Sequence, residues 1–154
     1  MKINDDERIL VSACLVGVNC KYNGGNNLNL EILKLVQEGK AILVCPEQLG
    51  GLSTPRNPSE IVDRISSKVV ASDGTDVTKE YQKGAYETLK IANLYQVKKA
   101  ILKSKSPSCG NTTIYDGTFT HTLTGGEGIT TKLLRENGIE VVNEDEYVKE
   151  LRKE

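Results

Sequence analysis

Ile9-Leu10-Val11-Ser12-Ala13-Cys14 is a short apolar run that closes on a cysteine, and its kind recurs twice in the chain. Ala41-Ile42-Leu43-Val44 runs into Cys45, and Ala100-Ile101-Leu102 leads to a loop that carries Cys109. Each run reads as a strand. If the three strands lie side by side and parallel, their carboxyl ends open onto one crevice, which is where ligands bind in open α/β sheets. Three thiols far apart in sequence then meet in space.

The segments between the runs support that arrangement. Tyr22 to Asn27 is turn-rich, and Leu28, Leu30, Ile32, Leu33, Leu35 and Val36 fill a helix-length window closed by Gly39. A second strand follows at about residues 40–44. Pro46, Pro55 and Pro58 with Gly50 and Gly51 argue against regular structure from 46 to 58, so a long loop is expected beside Cys45. Residues 59–77 read as a short helix plus a hairpin with Asp73-Gly74 at its turn. Thr78-Lys79-Glu80-Tyr81 starts a helix with Asp76 or Thr78 as cap, and Tyr81, Ala85, Leu89 and Ala92 continue it to about Tyr95. A strand near 98–103 enters the loop Ser104 to Gly110, and Gly125-Gly126-Glu127-Gly128 opens a helix of about 128–137 closed by Gly138. Glu140-Val141-Val142 is a fourth strand, and Asn143 or Asp145 caps a last helix with Tyr147, Val148 and Leu151. The order favours a single α/β domain over 1–154, a Rossmann-like, mostly parallel four-stranded sheet with helices on both faces.

A chain of 154 residues buries a core without disulfide or metal support, so the four cysteines are not needed to hold the fold. Lys and Arg number 20 against 21 Asp and Glu, a balance that recruits neither nucleic acid nor an anionic membrane. The stretch Met1 to Glu7 lacks the basic start and apolar core of a signal peptide, and no segment is long and apolar enough to span a bilayer. The expected location is the cytoplasm, where thiols serve metal binding or catalysis rather than lasting disulfides.

Cys14, Cys45 and Cys109 can each be a small buried hydrophobe, but three burials at equivalent strand ends are a less natural reading than one soft-metal site. Three thiolates hold zinc with a fourth ligand, or an iron–sulfur cluster, and the spacing does not choose between them. Zinc sites usually show a close Cys-x-x-Cys pair, absent here, and a fourth ligand would be His121 or Cys20. Cys20 follows Cys14 by six residues; a thiolate phosphatase loop would need an arginine there, which leaves redox pairing with Cys14 or simple packing. Glu47, two residues past Cys45, is placed to take or deliver a proton at the crevice. Ser106 and Ser108 flank Pro107 and either bond a ligand or shape a turn. Arg56 binds an anion or pins its loop through carbonyl bonds, and Gly125 to Gly128 can cradle an anion at a helix start. His121 reads as a surface or loop residue.

Ser12-Ala13-Cys14-Leu15-Val16-Gly17, Cys45-Pro46-Glu47 with Gly50-Gly51-Leu52-Ser53-Thr54-Pro55-Arg56, and Lys103-Ser104-Lys105-Ser106-Pro107-Ser108-Cys109-Gly110 together resemble the 2-thiouracil desulfidases. The resemblance continues through Asp76-Val77-Thr78, Gly84-Ala85, Ile114 to Phe119 and Gly128-Ile129-Thr130, nearly the whole chain. It implies a [4Fe-4S] cluster held by Cys14, Cys45 and Cys109 with one iron open, and Glu47 with Ser106 or Ser108, Ser106 favoured, as catalytic residues. The implied reaction is non-redox: the open iron polarises the carbon–sulfur bond of a small thiolated heterocycle while Glu47 activates water. On this reading Cys20 is a bystander and the ligand count is three. The alternatives are a cluster-bearing sulfur carrier that serves a sulfur-accepting partner enzyme, and a zinc or thiol redox protein.

Overall fold

The computed structural model describes residues 1–153. In chain order it holds β1 (Ile9–Ser12), a 3-10 turn (Ala13–Val16), α1 (Leu30–Gln37), β2 (Ala41–Val44), α2 (Pro46–Leu49), β3 (Ser59–Asp63), β4 (Lys68–Ala71) and α3 (Thr78–Leu94). There follow β5 (Lys99–Leu102), β6 (Thr113–Tyr115), β7 (Leu123–Gly125), α4 (Ile129–Glu136), β8 (Glu140–Asn143) and α5 (Glu144–Lys153). The main sheet has the order β2-β1-β5-β8, and every neighbouring pair is parallel.

All four residues of β1 are buried, as a central strand covered on both faces requires. Successive side chains point to opposite faces, so Ile9 and Val11 join Ile101 against Ile32 and Leu35 of α1 and Tyr147 of α5. Leu10 joins Ala100, Leu102 and Val141 on the other face, against Ala92 of α3 and Leu134 of α4. Helices therefore cover both faces, as expected. The carboxyl ends of the strands share one edge of the sheet, and the strand order reverses between β1 and β5, the position at which such sheets open a ligand crevice.

The local signals act as read at most element ends. Asn29 caps α1, its Oδ1 accepting from the amides of Glu31 (3.1 Å) and Ile32 (3.2 Å), and Gly39 follows with φ +73°. At α3 it is Asp76 that accepts the Thr78 amide (2.9 Å), while the Thr78 hydroxyl accepts from the Val69 amide (2.9 Å) and ties the helix to β4.

Two expectations are corrected. The proline-bounded stretch is not without regular structure: Pro46–Leu49 forms α2, because a proline in the first helical turn has no amide to lose. Residues 59–71 hold no helix but an antiparallel hairpin of β3 and β4, turned at Arg64 to Ser67 with Ser67 at φ 59°. Burial of Ile61 and Val69 against Tyr81 and Ile114 decides this in favour of strands. Asp73-Gly74 makes a separate turn after β4, with the Thr75 amide bonded to Asp73 Oδ1 (3.0 Å). Among the described residues no helix is long and apolar enough to cross a membrane.

Candidate active site

Each cysteine stands where its strand releases the chain. Cys14 lies in the 3-10 turn directly after β1, and Gly17, at φ +97°, reverses the chain beyond it. The loop then folds back, the Asn27 amide donating to the Cys14 carbonyl (2.8 Å) and the Asn29 amide to the Leu15 carbonyl (2.8 Å). This return carries Cys20, which is buried, to the mouth of the sheet. Cys45 is the N-cap residue of α2, one residue past β2. Cys109 sits in the loop after β5, and that loop is gripped by α4. The amides of Gly128, Ile129 and Thr130 donate to the carbonyls of Gly110 (2.7 Å), Pro107 (2.9 Å) and Ser108 (2.9 Å), and the Thr131 hydroxyl donates to the Cys109 carbonyl (2.8 Å). The expected anion cradle before α4 is thus spent on this loop. Gly128 is required there because a Cβ would lie 2.4 Å from the Ser108 carbonyl carbon and oxygen.

All four cysteines are free thiols. The Cys20 side chain neighbours Cys14 and Cys45, and donation of its S–H to one or the other is the main cause that lowers each of them, Cys45 to about 7, while Cys45 Sγ lies 3.8 Å from the Cys20 carbonyl oxygen. Cys20 itself is pushed up, since Cys14 and Cys45 compete for its one S–H proton. More weakly, the charge of Lys103 favours the thiolate of Cys14 and that of Arg56 the thiolate of Cys45. Cys109 is pushed up to about 12, first by burial and then by the negative charge of Glu47, with the hydroxyls of Ser12 and Ser108 pulling the other way. Cys14 and Cys45 feel each other's charge, as do Cys14 and Cys109. Cys14 is thus within electrostatic reach of both Cys45 and Cys109, and Cys20, expected to stand aside, neighbours Cys14 and Cys45.

Glu47 is the second residue of α2, half-buried, one short step from Cys45. Its Oε2 accepts from Arg56 Nη2 (2.9 Å) and its Oε1 from the Tyr81 hydroxyl. Arg56 also donates to the carbonyls of Cys20 (2.9 Å) and Ser53 (3.2 Å), which is the loop-pinning role expected of it, extended to the cysteine loop. Ser106 and Ser108 divide their work. Ser106 Oγ accepts from the amides of Ser108 and Cys109, both at 3.0 Å, and so shapes the turn that presents Cys109. Ser108 is buried, its hydroxyl paired with Thr130 Oγ1 (2.9 Å) and in contact with Cys109 Sγ (3.8 Å). His121 lies apart, exposed in the β6–β7 turn with its ring edge-on to Tyr115.

Tyr81, Lys103 and Ser12 belong to the site and escaped the sequence reading. Tyr81 falls in the apolar stripe of α3, where an aromatic reads as core, and only its polar tip departs from that reading.

The donor set fits an iron–sulfur group: soft sulfur ligands from three separate segments, with basic side chains nearby to offset their charge. Among the described residues no three His, Cys, Asp or Glu groups stand together as a ready-made site for a metal ion.

The sequence profile of the 2-thiouracil desulfurase family matches residues 9–146. An uncharacterised Bacillus subtilis (strain 168) protein, YbbK, is 45% identical over 145 residues, covering 90% of this chain and 96% of that one. The solved structure of TudS, a [4Fe-4S]-dependent thiouracil desulfidase, superposes with a TM-score of 0.87 at 41% identity, over 93% of this chain and 94% of that one.

Proposed function

The chain belongs to the 2-thiouracil desulfurase family of carbon–sulfur bond-cleaving enzymes, and on that footing we propose that it hydrolyses a small 2-thiouracil-like base. One water and one thio-base give one oxo base and one hydrogen sulfide, with no net oxidation or reduction. Cys14, Cys45 and Cys109 would hold a [4Fe-4S] cluster, three ligands for four irons. When bound, the cluster supplies a Lewis acid that draws electron density from the thiocarbonyl sulfur.

The protein's own groups do the rest. Glu47 takes a proton from the water that attacks the thiocarbonyl carbon. Ser106 already accepts two amides, so its hydroxyl proton is the part left to donate to a bound base. Ser108 steadies Cys109 from below. The single observation that supports this reading is that Cys14 feels the charge of Cys45 and Cys109 feels that of Cys14, while Glu47 acts on both Cys45 and Cys109, at one end of the parallel sheet. The released sulfide suits a sulfur-accepting partner enzyme.

Anaerobic reconstitution tests it. Iron and acid-labile sulfide analysis should give one cluster per chain, thiouracil absorbance should fall with one sulfide released per uracil formed, and the new oxygen should come from labelled water. Serine at position 14, 45 or 109 should abolish iron retention. Glu47→Gln should keep the cluster and lower kcat about 10²- to 10⁴-fold. A full cluster with no turnover, or sulfide that moves only when a second protein is added, would overturn the reading in favour of a carrier.

A further inference from the structure

We propose that Tyr81 and Arg56 are positioning residues that hold the Glu47 carboxylate in its working orientation from two sides. The proposal rests on the role given to Glu47 above.

A glutamate on a four-residue helix has little to fix its side chain. Its three torsions are free unless something outside the helix restrains them, and a reacting group misplaced by 1 Å loses about 10²-fold in rate. In this site each carboxylate oxygen has its own donor. Arg56 Nη2 reaches Oε2 at 2.9 Å, and the Tyr81 hydroxyl donates to Oε1. Two donors on different oxygens fix both the position and the plane of the carboxylate, while each oxygen keeps a lone pair for water.

The two donors come from elements that are themselves held. Arg56 is 7% exposed and anchored on the carbonyls of Ser53 and Cys20 and on Thr54 Oγ1 (2.8 Å). Tyr81 is 2% exposed on α3, and its hydroxyl is also bonded to Ser59 at the start of β3. Burial, then the charge of Glu47, pushes this phenol well above its ordinary value, so it remains a donor. The distance between α3 and α2 is set by glycines on both sides. A Cβ on Gly84 would lie 1.9 Å from the Pro46 carbonyl oxygen, and one on Gly50 1.9 Å from that of Glu80. Pro46 adjoins Glu47 and Glu80 adjoins Tyr81, so the backbones touch beside the hydrogen bond. A phenol that served only as core would need any acceptor; this one is delivered to the proposed base.

The test uses anaerobically reconstituted holoenzyme and 2-thiouracil. Tyr81→Phe should keep cluster content and visible spectrum, leave KM within about twofold and lower kcat about ten- to a hundredfold. In a crystal structure of that variant, Glu47 should occupy more than one rotamer. Added to Glu47→Gln, Tyr81→Phe should change kcat no further, because a residue that acts through Glu47 has nothing left to position. Arg56→Lys should retain part of the kcat that Arg56→Met loses. Wild-type kcat in Tyr81→Phe, or the same fold-loss in the Glu47→Gln background, overturns the proposal. If Tyr81→Phe does not retain the cluster, Arg56→Lys decides: full kcat with a full cluster overturns it, and a kcat loss at unchanged KM supports it. Wild-type turnover by Glu47→Gln instead removes the base from the mechanism above and is told apart from failure of the clamp alone.

Discussion

Cys20 shows how one residue changes meaning when its neighbours are known. In sequence it is a fourth cysteine without a role; in the fold it is buried and shares its thiol between Cys14 and Cys45. One S–H proton serves one acceptor at a time, so Cys20 is a donor to the thiolates rather than a third partner in a ring. Cys20→Ala should therefore retain the full iron and acid-labile sulfide content that alanine at 14, 45 or 109 forfeits. It should also lower the cluster's reduction potential, since a hydrogen bond to a ligating sulfur stabilises the reduced, more negative state. Iron analysis and anaerobic redox titration measure both; loss of iron from Cys20→Ala would make it a ligand. Cys14, Cys45, Cys109 and Glu47 were legible because each follows a strand or lies two residues from a cysteine that does. Cys20, Tyr81 and Lys103 were not, because their places depend on a loop folding back through Gly17, on a helix meeting another helix, and on a side chain crossing the sheet edge to Glu144.

The elements that matter most to the site are short or pressed together. α2 was hidden by its own first residue, since a proline reads as a breaker within a chain segment and as a starter at its head. The hairpin β3–β4 was misread in part because its apolar residues stand at spacings compatible with either period, and the choice was made by Tyr81 and Ile114, distant in sequence. The central strands β1 and β5, by contrast, announced themselves by apolar runs of the kind that a doubly covered sheet buries. Where α2 meets α3 the packing allows no substitution: Gly84→Ala places a methyl 1.9 Å from a backbone oxygen, so one helix must move. The expected cost is about 1–3 kcal/mol of stability, read by denaturant unfolding. Activity of the cluster-loaded variant should fall as well, because the shift separates Tyr81 from Glu47. A stable, fully active Gly84→Ala would show that the two helices slide without consequence.

Across the whole molecule the parallel sheet sorts its tasks by edge, and the edge that carries the thiols also carries a largely buried ion pair. Glu144, at the start of α5, accepts from the Ser104 amide (2.7 Å) and hydroxyl (3.0 Å) and pairs with Lys103 Nζ (2.9 Å). It thereby ties the exits of β5 and β8 together. Burial opposes its ionisation, but Lys103 and the Ser104 amide outweigh that and hold its carboxyl below the ordinary value. The sign follows from linkage: a carboxyl whose pKa is lower in the folded state adds stability above its unfolded value, and that stability disappears as pH falls through the folded value. Glu144→Gln should therefore cost stability at neutral pH, about 1–3 kcal/mol for a partly buried charge left without its partner. The gap to the parent protein should close as the pH is lowered below the ordinary carboxylate range. Denaturant unfolding of both proteins at a series of pH values, with the cluster removed from each, measures the gap. A difference that stays constant with pH would mean that Glu144 contributes through its hydrogen bonds to Ser104 and not through its charge.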